Sequence, residues 1–145
     1  MYQYDYPHPA ITADCVVFAG RGEKAQVLLI KRKFDPCKGM WAFPGGFMNI
    51  DETADAAAVR ELYEETGLKL TDVHQIGAFS RVDRDPRERV VNIAYYTEVA
   101  APIPVAGGDD AAEARWFSIA DLPPLAFDHA EILARAIYIW NLERK

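Results

Sequence analysis

The sequence predicts an α/β/α layered domain on a mixed sheet, and three observations carry that reading. Short apolar, β-branched stretches recur along the chain, one acidic helix with clear end signals interrupts them, and an amphipathic helix follows the last of them. At 145 residues, half of them hydrophobic, the chain suits one domain, 1–145, with a core of its own.

Taken in order, Ala13 to Ala19 (ADCVVFA) reads as a buried strand, Gly20 to Lys24 as a turn and Gln26 to Arg32 (QVLLIKR) as the returning strand. Lys33 to Asn49 is rich in Gly and Pro yet carries Phe34, Trp41, Phe43 and Phe47, so it is expected to be an ordered functional loop, with Trp41 to Phe43 suited to a short strand. These aromatics are expected to fill the local core rather than to stack a base. Gly45 and Gly46 stand where the chain turns from a strand toward a helix, a place that asks for glycine's backbone freedom. Asp51 to Thr66 is the central helix: acids at its start, alanines through its body, no internal Gly or Pro, and Gly67 to end it. Gln75 to Arg81, Val90 to Val99 and Ala114 to Phe117 read as strands, separated by a charged turn and a Gly-Asp-rich loop. Asp128 to Leu142 is the second helix, with Ile132, Leu133, Ala136, Ile137 and Trp140 at helical spacing. The chain contains no internal repeat or low-complexity tract.

Sixteen Lys and Arg against 22 Asp and Glu give a formal charge of -6, which disfavours a polynucleotide or an anionic membrane as partner. An anionic small molecule stays compatible, because a bound cation or local arginines reverse the field inside a site. Cys15 and Cys37 lack metal-site spacing and form no disulfide framework, and no leader or membrane span is indicated, so a cytoplasmic setting is expected. His8, His74 and His129 are scattered without metal-like spacing and are read as structural or surface residues.

The informative stretch is Gly46 to Leu68, GFMNIDETADAAAVRELYEETGL. At about 100° per residue, Glu61, Glu64 and Glu65 project within an arc of roughly 100° on one side of the helix. Like charges at that spacing repel by a few tenths of a kcal/mol each, roughly, unless a cation offsets them. A hard divalent cation such as Mg²⁺, with Mn²⁺ as a substitute, takes oxygen ligands of this kind. Taken alone, the cluster would more simply be a solvated acidic face balanced by Arg60 and lysines.

The spacing decides otherwise. Gly46, five residues, Glu52, seven residues, then Arg60-Glu61-Leu62-Tyr63-Glu64-Glu65-Thr66-Gly67-Leu68 resembles the Nudix box at every specified position. Lys38-Gly39, Trp41 and Pro44-Gly45-Gly46 before it, and Glu113, Arg115-Trp116-Phe117 and Leu122-Pro123 after it, resemble residues that Nudix domains commonly carry, so the likeness covers nearly the whole chain. The resemblance implies a Nudix-type α/β/α sandwich with a strand-loop-helix-loop unit that binds one to three divalent ions against a diphosphate. It implies Glu64 and Glu65 as principal metal ligands and Glu61 as either a further ligand or the base. Glu52 would make an outer-sphere or second-metal contact, and the Gly45 or Gly46 region would present a backbone carbonyl. Arg60 is expected to brace the acids from within the cluster. Glu113 is the weakest candidate acid.

Ser80 to Arg89 (SRVDRDPRER) gathers Arg81, Arg84, Arg87 and Arg89 in an otherwise acidic chain. An exposed hairpin bend set by Asp85-Pro86 is the simpler reading. However, Arg-Asp-Pro-Arg followed by Arg89 and Val90 resembles a motif of the Nudix branch associated with ADP-ribose, both pyrophosphatases and ADP-ribose-sensing regulators. That resemblance implies a small-molecule nucleotide substrate, ADP-ribose hydrolysed to AMP and ribose 5-phosphate, with these arginines contacting it. The rival readings are hydrolysis of a nucleoside triphosphate or another NDP-sugar, and a non-catalytic ADP-ribose sensor. The sensor is disfavoured because every acid of the box is present and no added DNA-binding segment is expected. A plain interaction domain on the same fold is the remotest alternative. The aromatic start, Tyr2, Tyr4 and Tyr6, is the expected contact of a homodimer.

Overall fold

Strict alternation along one central strand organises the molecule. The computed structural model describes residues 1–108 and 111–143. In β1 (Ala10–Ala19), Ala13, Cys15 and Val17 face one side while Val16 and Phe18 face the other, and all are buried. Each side receives one helix. The first set packs against Ala57, Ala58 and Leu62 of α1 (Ala54–Thr66), and the second against Ile132, Leu133, Ala136 and Trp140 of α2 (His129–Glu143). The expected α/β/α sandwich with a mixed sheet is therefore the observed architecture.

Around β1 the strands are β2 (Gln26–Arg32), β3 (Trp41–Ala42), β4 (Gly45–Phe47), β5 (His74–Phe79), β6 (Val90–Val99) and β7 (Ala111–Ser118). The sheet runs β3-β2-β1-β6-β5, with β4 paired to β1 and β7 to β2. β1 and β6 are parallel along all of β1, from Ala10↔Val90 to Ala19↔Val99. β1 and β2 pair only at Phe18↔Val27 and Ala19↔Gln26, after which they part; β2 continues with β7 and β1 takes β4 at Thr12↔Phe47 to Asp14↔Gly45. A cleft opens where the two strands diverge.

Several boundaries differ from the sequence expectation. The central helix begins at Ala54, because Thr53 is extended (φ -78°, ψ 162°) and its Oγ1 accepts from the Ala56 amide at 3.3 Å. Asp51 and Glu52 thus lie in the turn before it. Gly67 ends the helix as expected, left-handed at φ 81°. β4 is a strand within the stretch expected to be loop, and its glycines do not serve unusual backbone angles. Neither Gly45 nor Gly46 has a positive φ; they are glycine for want of space. A Cβ on Gly45 would stand 1.9 Å from Asp14 Oδ1, and one on Gly46 2.6 Å from the Glu61 carboxyl carbon. The fifth strand ends at Phe79 rather than Arg81, β1 starts three residues earlier at Ala10, and β7 extends to Ala111–Ser118. Among the described residues no helix is long and apolar enough to cross a membrane.

Leu62, fully buried between α1 and the sheet, carries this face of the core. Leu62→Ala is expected to lower the unfolding free energy by about 2–5 kcal/mol. A urea titration should show a lower midpoint with an unchanged slope.

Candidate active site

The cleft between β1 and β2 encloses about 330 Å³. Thr12 and Asp14 of β1 lie at its floor, and Gly45, Gly46, Glu61 and Glu65 bring β4 and α1 to one side. Arg84, Asp85 and Arg87 from the β5–β6 loop and Phe127 and His129 from the start of α2 also line it.

The acidic box is organised around one guanidinium. Arg60 donates from Nε to Glu52 Oε2 at 3.0 Å, from Nη2 to Glu52 Oε1 at 2.6 Å and to the Phe47 carbonyl at 3.1 Å. Its Nη1 reaches Glu61 Oε1 at 2.8 Å and Glu64 Oε2 at 3.2 Å. Glu52 also accepts from the Asn49 amide at 2.8 Å, which ties the turn before α1 to the cluster. Hydrogen bonding to Arg60 holds the Glu52 carboxyl below its ordinary range, and the bond to Glu52, with that to Glu61, raises Arg60 further still. Glu65, nearly buried, accepts from the Gly45 amide at 2.7 Å. Among the described residues no three His, Cys, Asp or Glu side chains converge as they stand on a point that could hold a metal ion. Glu61 and Glu64 are turned onto Arg60, and Glu65 onto β4.

The arginine loop is not the solvated hairpin bend that Asp85-Pro86 suggests. Arg84 is 6% exposed and grips Asp128 with two bonds, Nε to Oδ2 at 2.9 Å and Nη2 to Oδ1 at 2.6 Å. Asp85 is buried as well and accepts from Arg87 Nε at 3.1 Å and Nη2 at 2.7 Å. The Arg87 guanidinium stands over the rings of Phe47 and Phe127, at 5.2 and 5.7 Å. Arg81 and Arg89 lie outside the cleft lining: Arg81 pairs with Glu131 and Asp83, and Arg89 donates to the Ser80 carbonyl at 2.8 Å. The fold therefore brings Arg84 and Arg87 to the cleft that the box lines, while Arg81 ties the loop to α2 through Glu131 and Arg89 braces the loop itself. Glu113 is paired with Arg115 at 2.9 Å and does not line the cleft.

Of the loop aromatics, Trp41 and Phe43 are core residues as expected, whereas Phe34 and Phe47 are exposed at the cleft. The sequence does not single out Asp14 or His129 for the site. Phe43 donates its amide to His129 Nδ1 at 3.1 Å, and His129 Nε2 faces Asp14 Oδ2 at 3.3 Å. An acceptor Nδ1 places the ring's N–H on Nε2. These partners are far apart in the chain, and an aspartate in an apolar strand is the only local signal that could have pointed to them.

A NUDIX domain model matches residues 8–136. The chain belongs to the Nudix family. This Nudix hydrolase is 43% identical over 128 residues to an ADP-ribose pyrophosphatase of Methanocaldococcus jannaschii, spanning 88% of this chain and 73% of that protein. It is 32% identical over 136 residues to the ADPR responsive transcriptional repressor NtrR of Acinetobacter baylyi, covering 91% of this chain but only 54% of that longer protein. The NUDIX domain of Shewanella oneidensis NrtR, solved in complex with ADP ribose, superposes with a TM-score of 0.86 at 27% identity, with 94% of each chain covered.

In this Nudix hydrolase the Arg84–Asp128 pair anchors the arginine loop to α2. Burial would raise the Asp128 carboxyl, but the Arg84 hydrogen bonds and charge outweigh it, so it titrates below its ordinary value. A depressed folded pKa contributes stability above the unfolded value and loses it as pH falls through the folded one. Asp128→Asn leaves Arg84 buried without its counter-charge and is expected to cost about 3–5 kcal/mol near neutral pH. The gap between wild type and variant should narrow below about pH 4, which urea unfolding at a series of pH values would measure.

Proposed function

We propose that this Nudix hydrolase cleaves the diphosphate of ADP-ribose with Mg²⁺, Mn²⁺ serving as a substitute, to give AMP and ribose 5-phosphate. One observation carries the reading: Arg60, Glu61 and Glu65 of the acid box line the same cleft as Arg84, Asp85 and Arg87 of the arginine loop, and Arg60 ties Glu52 and Glu64 to that cluster. The similarity to an ADP-ribose pyrophosphatase and to an ADP-ribose-bound NUDIX domain supports the choice of substrate. The net charge of -6 and the free Cys15 and Cys37 fit a small nucleotide handled in the cytoplasm. The exposed Tyr2, Tyr4 and Tyr6 are where a second copy would pack.

Nudix hydrolases generally use divalent metals, and the donor set here fits one. Glu61, Glu64 and Glu65 offer hard carboxylate oxygens, and the bare Cα of Gly46 leaves open a cradle that a single methyl group would fill against Glu61. Glu64 and Glu65 would be the principal ligands, joined by the Gly46 carbonyl. When bound, the ion neutralises charge on the phosphoryl oxygens and makes water a better nucleophile at neutral pH.

The chain's own groups do the rest. Arg60 holds Glu52, Glu61 and Glu64 in register, gripping Glu52 with two bonds. Glu61 is a further ligand or the base that takes the proton from the attacking water. The water oxygen joins one phosphorus, the bond from that phosphorus to the bridging oxygen breaks, and the other phosphate leaves with that oxygen as AMP or as ribose 5-phosphate. Arg87, over the rings of Phe47 and Phe127 at the cleft, is placed to orient the nucleotide, with Arg84 holding the loop behind it. The similarity to NtrR favours one second reading, an ADP-ribose sensor without turnover.

Purified protein with Mg²⁺, offered ADP-ribose, other NDP-sugars, dinucleoside polyphosphates and nucleoside triphosphates, is expected to cleave ADP-ribose best. Glu64→Gln should lower turnover by more than about 100-fold, with unfolding unchanged. Binding of ADP-ribose without cleavage would replace the enzyme reading with the sensor, and preference for a triphosphate would leave the metal site standing but sink the substrate.

A further inference from the structure

Beyond the acid box the cleft passes over Asp14, whose presence neither metal binding nor diphosphate binding accounts for. Its side chain is 9% exposed and faces the cleft. A buried carboxylate ordinarily sits on a cation or on several N–H donors. Among the described residues none completes a hydrogen bond to Asp14; its charged-group neighbour is His129, whose Nε2 lies 3.3 Å away. The guanidinium groups that line the cleft are occupied elsewhere. Arg84 holds Asp128, Arg87 holds Asp85, Arg60 holds the box, and Arg32 donates to the Pro36 carbonyl at 2.7 Å. Thr12, next on the same face, donates its hydroxyl proton to Asn92 Oδ1 at 3.0 Å and so offers the cleft its lone pairs. The floor therefore presents acceptors.

Gly45 fixes where this floor lies relative to the chemistry. Its amide donates to Glu65 Oε1 at 2.7 Å, while a Cβ on it would meet Asp14 Oδ1 at 1.9 Å. One backbone residue separates the box from Asp14, so the acids and that carboxylate line adjoining parts of one cleft. A further phosphate there meets like charge, which costs several-fold to many-fold in affinity, whereas a hydroxyl finds a charge-assisted acceptor.

We propose that Asp14 is a specificity-determining residue that accepts hydrogen bonds from the hydroxyls of a polyol on the distal phosphate, admitting sugar-bearing nucleoside diphosphates and refusing nucleoside triphosphates. This rests on the diphosphate-cleaving reading above and names the half of the substrate the acid box does not read. His129, held by the Phe43 amide, backs Asp14 and aims it.

The test compares kcat/KM for ADP-ribose, for an ADP ester of a simple alkyl alcohol that lacks hydroxyls, and for ATP, using wild type and Asp14→Asn. Wild type should favour ADP-ribose over the alkyl ester by about 100-fold or more, since a site built for a hydroxyl is left with an unpaired group by an analogue lacking it. Asp14→Asn should lose most of that preference, cleave ATP better relative to ADP-ribose, and bind Mn²⁺ alone as wild type does. Equal cleavage of ester and ADP-ribose by wild type overturns the proposal without any variant. So does an equal loss on both substrates in Asp14→Asn, or a loss of Mn²⁺ affinity, which would make Asp14 a structural or metal-site group. Wild type that cleaves ATP best overturns the proposal and leaves the box intact, and wild type inactive on every compound overturns it together with the diphosphate reading.

Discussion

The close approach of β4 to β1 is the contact on which the site depends. β1 is paired along its full length by β6 on one edge, but on the other it meets β2 for two residues only and then yields to β4. Gly45 permits this, because any side chain there would occupy the space of Asp14 Oδ1. Three consequences follow from two missing Cβ atoms. The sheet splits and opens a cleft, the Gly45 amide is delivered to Glu65, and the next glycine lets Glu61 lie against the backbone.

Charge is managed inside this cleft by pairing nearly every ion with a specific partner. Four acids of one helix and its preceding turn would repel one another, and Arg60 offsets three of them with a planar fork that also reaches a carbonyl of β4. The arginine loop follows the same rule: Arg84 is neutralised by Asp128, and Arg87 by Asp85. Such buried pairs add little net stability over an apolar core, but breaking one strands a charge, so they hold geometry. Here they hold a loop onto α2 at the mouth of the cleft and leave the Arg87 guanidinium stacked on Phe47 and Phe127. Asp14 stands out against that background as the acid whose neighbour is a histidine rather than a guanidinium.

The two helices therefore serve the site differently. α1 presents the carboxylates of Glu61, Glu64 and Glu65 on one side, because i, i+3 and i+4 positions share a face. α2 supplies supports, since Asp128 and His129 at its start secure the arginine loop and Asp14 while Ile132 and Trp140 bury its apolar stripe against Val16 and Phe18. Core packing and site geometry are set by the same helix, so damage to either is felt by both.

By itself the sequence determined whatever depends on near neighbours in the chain. The strands β2 and β6, the acidic helix with its Gly67 stop, the shared face of Glu61, Glu64 and Glu65 and the bracing role of Arg60 all follow from short-range periodicity and from the box spacing. Tertiary structure decided what depends on distant segments meeting. Gly45 and Gly46 look like turn residues in the sequence, yet in β4 they lie against Asp14 and Glu61. Four arginines in one loop look equivalent in sequence, yet only the two that face Asp128 and Asp85 line the cleft, because the loop folds onto α2 from 44 residues away. His129 looked incidental, and it meets Phe43 across 86 residues. Local patterns report which groups a helix or strand presents; which of them share a cleft is set by the strand pairing and packing that bring remote segments together.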